Sequence, residues 1–97
     1  MALTTNLNDG VVTIILDKQF DFDSVDEFRA AYSDVSGKRH VVDFRNTDYM
    51  DSSGLGMLLN MRRFLGDEKS TIKLINCRPQ VKKVLKISRF ETKFEIS

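Results

Sequence analysis

Apolar and polar residues alternate at the start of the chain, and the alternation breaks at Asn8-Asp9-Gly10. Leu3 to Leu7 and Val11 to Leu16 are β-prone on either side, so the pattern predicts a hairpin. Over "DFDSVDEFRAAYSDVSG" the period changes. Val25, Phe28, Tyr32 and Val35 recur every three or four residues and mark one face of a helix. Ser24 or Asp23 can cap it, with Glu27 three residues after Ser24 as in a capping box, and Gly37 suits its left-handed end.

The run Arg39 to Phe44 ("RHVVDF") has the β-branched character of a covered strand. A turn-like stretch follows, then a helix beginning near Ser53. Ser70 to Asn76 is a further strand, with Ile72, Leu74 and Asn76 on one face. "RPQVKKVLKIS" is a short helix in which Pro79 suits the first turn and Val81, Val84, Leu85 and Ser88 share a face. "RFETKFEIS" adds a final short strand. Strands alternating with helices predict an α/β fold, a mixed β-sheet with an N-terminal hairpin and helices packed against it. Residues 1–97 form one small domain on this reading.

Chemistry concentrates at Asp51-Ser52-Ser53-Gly54, where a loop leaves a strand and enters a helix. Ser52 or Asp51 serves as the N-cap. The first turn of a helix leaves backbone N–H groups unpaired and favours negative charge, so a phosphate on Ser52 or Ser53 would be met there. Gly54 and Gly56 would keep side chains clear of it, and each costs a plain helix about 1 kcal/mol. The segment lacks the glycine spacing and lysine of a P-loop, and it is neither a dinucleotide fingerprint nor a nucleophile elbow. Further along the helix, Leu55, Leu58, Leu59 and Leu65 form a stripe suited to the sheet. Met57, Met61 and Phe64 form a second stripe, which is either buried too or an adaptable contact surface beside Ser52.

Charge and composition narrow the classes. The 97 residues carry a net charge of +1, which provides no overall field for nucleic acid. Residues 1–51 hold ten acids against five Lys/Arg, and residues 52–97 four against ten. The basic C-terminal part is a solvated face or a docking surface for an acidic partner. No apolar run is long enough to span a membrane, no leader-like segment stands at the start, and the lone Cys77 fits a reducing compartment; a cytoplasmic location is expected. His40 has no second histidine, and Asp17, Asp21, Asp23 and Asp26 do not have calcium-loop spacing, so no metal or cofactor is expected.

"DYMDSSGLGMLLNMRR", preceded by "HVVDFRNT", resembles the signature of the STAS domain, and most of all the free-standing bacterial anti-sigma factor antagonists. The likeness extends over nearly the whole chain, through the hairpin, the "FDFDS" turn and "LINCRPQVKKVLKIS". It implies a non-enzymatic regulator whose serine after the aspartate, Ser52, is phosphorylated by an anti-sigma factor serine kinase. A PP2C-type phosphatase would remove the phosphate. Asp51, Ser53, Gly54 and Gly56 would form the phospho-site loop. Asp21, matching the family's aspartate before the first helix, would join Asp23, Met57, Met61 and Phe64 in partner contact. Lys18 stands where the family often has glycine. The resemblance leaves two alternatives, an unswitched subunit of a membrane ABC-type transport complex and a nucleotide-binding STAS domain.

Overall fold

The structure, a computed structural model, describes residues 3–33, 39–66 and 71–97. Strands β1 (Thr4–Asn8) and β2 (Val11–Ile15) form the expected hairpin, with Asn8 opposite Val11. Its two-residue loop takes φ of 54° at Asp9 and 77° at Gly10, the type I′ geometry that Asp-Gly accommodates. The strands β4 (Arg39–Asp43) and β6 (Ile72–Ile75) add to β2 in parallel, and β7 (Glu95–Ile96) pairs in parallel with β6. The five-stranded sheet therefore runs β1-β2-β4-β6-β7. Two strands of two residues each, β3 (Gln19–Phe20) and β5 (Tyr49–Met50), form a separate parallel pair that hydrophobic periodicity does not reveal.

The crossovers carry α1 (Val25–Ser33), α2 (Ser52–Phe64) and α3 (Pro79–Ile87). Parallel neighbours need such connections, because a tight turn can only reverse the chain. Val12, Ile14, His40, Val42, Ile72 and Leu74 fill the covered face of the sheet, and one core joins them to Phe28 and Tyr32 of α1, Leu58 of α2 and Leu85 of α3. On the other face Lys73 pairs with Glu95 at 3.8 Å in solvent. Among the described residues no helix is long and apolar enough to cross a membrane.

Three expectations change. α1 is preceded by a 3-10 turn at Phe22–Ser24, and the capping residue of that turn is Asp21, not Asp23 or Ser24. The Ser24 hydroxyl instead donates back to the Gln19 carbonyl at 3.4 Å. Asn76 does not continue the buried face of β6: it is exposed, with φ of 56°, and turns the chain after Ile75. The two stripes on α2 are not separate, since Met57, Leu58 and Met61 are buried together while Leu55 and Leu59 flank them. Val35, Gly37 and Ser70 lie outside the described residues.

Candidate functional site

The small β3–β5 pair builds the site. Gln19 lies opposite Tyr49 and Phe20 opposite Met50, and the Lys18 carbonyl accepts from the N–H groups of Asp48 (3.0 Å) and Tyr49 (3.3 Å). Each strand is followed by an aspartate in extended backbone, Asp21 after Phe20 and Asp51 after Met50. Neighbouring strands thus bring two helix starts side by side. The Asp51 carboxylate accepts from Ser53 N–H at 2.9 Å and Gly54 N–H at 3.2 Å, so Asp51 is the N-cap of α2. Ser52 is the first helical residue and is exposed, and Ser53 behind it is half-buried.

The two glycines have different reasons. A Cβ on Gly54 would stand 2.6 Å from Met50 Cγ, 2.9 Å from Phe20 Cδ2 and 2.9 Å from the Phe20 carbonyl oxygen. The backbone oxygen cannot swing aside as a side chain would, so only glycine lets α2 rest on β3. Around Gly56 nothing lies within 4 Å. The expectation that both clear space for a phosphate is therefore corrected: Gly54 faces the core, and Gly56 faces solvent.

The polar and apolar groups at this end also differ from expectation. The first turn of α2 contains no acidic residue, whereas the 3-10 turn and first turn of α1 hold Asp23, Asp26 and Glu27. Met57 is 7% exposed and Met61 0%, so they do not form an exposed contact stripe beside Ser52; Gly54 docks α2 with that stripe inward. Phe64 is exposed, but twelve residues of helix place it about 18 Å along the axis from Ser52. The aromatic residues at the serine end are instead Phe22, 73% exposed beside Asp21, and Tyr49, 50% exposed two residues before Asp51. The signal for Phe22 was present in the sequence as an apolar residue between two aspartates in a turn.

A second feature, hidden in the sequence, fixes the loop that leads to β5. Asp43 is buried at the end of β4 and accepts from Arg45 N–H (2.9 Å), Arg45 Nε (2.8 Å), Arg45 Nη2 (2.6 Å) and Asn76 Nδ2 (3.0 Å). Burial alone would raise its pKa, but the hydrogen bonds from Arg45 and Asn76 and the guanidinium charge hold it below the ordinary carboxylate value. Arg78 donates to the Arg45 carbonyl, and the Thr47 hydroxyl donates to the Asp17 carbonyl at 2.7 Å. Cys77, half-buried nearby, has its thiol pushed up to about 11 by burial, which outweighs Lys82, so it is a poor nucleophile. Among the described residues no group of three or more His, Cys, Asp or Glu could hold a metal ion.

Residues 2–97 match the STAS domain family. A STAS-domain containing protein of Pseudomonas aeruginosa (strain UCBPP-PA14) is 49% identical over 88 residues, covering 89% of this chain and 87% of that protein. Among solved structures, the anti-sigma factor antagonist SpoIIAA in its unphosphorylated form superposes with a TM-score of 0.82 at 26% identity, over 99% of this chain and 88% of that one. The Bacillus cell fate determinant SpoIIAA in its phosphorylated form gives 0.75 at 26% identity, over 99% and 91%.

Proposed function

The chain belongs to the STAS domain family, and from that premise we propose that it is an anti-sigma factor antagonist switched by phosphorylation of Ser52. The observation that carries this reading is the placement of an exposed hydroxyl at the first residue of α2, directly after a cap that holds the turn rigid. A structural relative that exists in phosphorylated and unphosphorylated forms supports it. The chain is a binding regulator and not an enzyme: an anti-sigma serine kinase supplies ATP and the transfer machinery, and a PP2C-type phosphatase reverses the step.

The physical switch is charge placed at a contact. Phosphate adds about −1.5 to −2 at pH 7. The Asp51 carboxylate already occupies the N–H groups of Ser53 and Gly54, so the phosphate stays on the solvent side beside Asp51, Asp21 and Asp23. The positive end of the α2 dipole offsets part of that charge, and the fold survives. A partner is different, because it covers Ser52 together with Phe22 and Tyr49. Burying a dianion against those rings removes its hydration without returning a matched partner. A penalty of about 3–4 kcal/mol lowers affinity several-hundred-fold.

Purification of the tagged chain from its native cell tests this. Ser52→Ala retains the kinase partner and Ser52→Asp loses it. Equal recovery of the kinase with both variants would sink the proposal.

A further inference from the structure

Away from Ser52, α1 and α2 enclose a groove that the proposed switch does not use. Its larger end is a surface cavity of about 360 Å³ lined by Arg29, Tyr32, Ser33, Asn60, Arg63 and Phe64. A smaller one of about 120 Å³ continues it toward Val25 and Met57 and shares Arg29, Tyr32 and Asn60. Val25 to Ser33 spans about 12 Å, enough for two turns of a docked helix. The floor is aromatic: the rings of Tyr32 and Phe64 lie 5.5 Å apart, the first buried and the second 51% exposed.

Among the described residues the charged groups lining both cavities are basic, Arg29 and Arg63, and no acidic residue lines them. Asp26 and Glu27 belong to α1 but do not line the groove. No ion-pair partner for Arg29 or Arg63 is found among the described residues. A half-exposed phenylalanine lining one cavity with two guanidinium groups fits an occupant apolar in its centre and negative at its edges.

We propose that the α1–α2 groove docks an acidic amphipathic segment of a protein partner, with Phe64 as the apolar anchor and Arg29 and Arg63 as the charge clamp. Nucleic acid fits less well, since two arginines do not form a track for a phosphate backbone. The groove lies at the far end of α2 from Ser52. Docking there holds a partner without reference to the serine, so a phosphorylated chain released at one contact stays tethered at the other.

The test is an amide-resonance titration of the full chain with a synthetic amphipathic peptide bearing a leucine stripe flanked by glutamates. Its controls are the lysine counterpart of that peptide and an oligothymidylate. The expected result is a set of shifts confined to residues 25–33 and 57–64 with the acidic peptide alone. Arg29→Glu with Arg63→Glu, and separately Phe64→Ser, each weaken binding at least tenfold while the rest of the spectrum is preserved. Ser52→Asp leaves it unchanged within twofold, which separates this proposal from the serine switch. Absence of groove shifts, equal binding of the lysine peptide, binding of the oligonucleotide at these residues, or Phe64-dependent self-association in sedimentation would each overturn it.

Discussion

The two helix starts at Asp21 and Asp51 are built alike and serve differently. Both follow a two-residue strand of the same parallel pair, and in both an extended aspartate accepts from the N–H two residues on. After Asp21 the chain continues with Phe22 and Asp23, and acids fill the first turn of α1. After Asp51 it continues with Ser52, Ser53 and Gly54, and the first turn of α2 has none. The start of α1 carries Asp23, Asp26 and Glu27 beyond its capping aspartate, whereas the start of α2 carries only the Asp51 cap, so its dipole is less fully offset by existing carboxylates. The proposed modification therefore falls on the start of α2, and the proposed partner contact falls on the start of α1, with Phe22 and the acids.

Gly54 joins the two starts, and changing it produces the largest effect. Gly54→Ala places a methyl group against the Phe20 carbonyl and lifts α2 off β3. A loss of about 3 kcal/mol in urea unfolding is expected, at the upper end for overpacking because the Phe20 carbonyl is backbone, and a loss under about 1 kcal/mol would mean the two caps are not held by this contact.

Next comes the latch that feeds β5. Asp43→Ala leaves the N–H groups of Arg45 and Asn76 without their buried acceptor, and costs about 2–3 kcal/mol. Its folded pKa is depressed, so its contribution is fully present above the unfolded value near 4 and is lost as pH falls through the folded value. Asp43→Asn therefore flattens the acid side of the stability–pH curve. An unchanged acid limb would place the pH dependence elsewhere.

The caps themselves give a smaller contrast. Asp51→Ala removes the acceptor of two N–H groups and is expected to cost about 1–2 kcal/mol, against about 0.5–1 kcal/mol for Asp21→Ala, which serves one. Thermal unfolding of the pair measures the difference, and equal losses would erase the asymmetry. Smallest is Gly56→Ala, which meets nothing within 4 Å and should stabilise the protein by about 0.5–1 kcal/mol.

Much of this was legible in the residues. Asp-Gly between alternating runs specified the hairpin and its turn, and the serine loop stood out because a plain helix start does not need two glycines. What stayed hidden depends on contacts between distant segments. Two-residue strands carry no period, so the β3–β5 pair that sets Asp21 beside Asp51 could not be seen. The inward face of α2 is chosen by the approach of Gly54 to Phe20, which a helical wheel does not contain, so periodicity alone leaves Met57 and Met61 open between core and contact surface. Asp43 read as one residue of a strand; its burial becomes intelligible only once Asn76 arrives from β6.

Phosphopeptide mapping of the protein isolated from its native cell, beside Ser52→Ala and Ser53→Ala, tests the central claim most directly. The account predicts one phosphate, on Ser52, absent from Ser52→Ala and retained in Ser53→Ala. A phosphate on Ser53, or none under any growth condition, would contradict it.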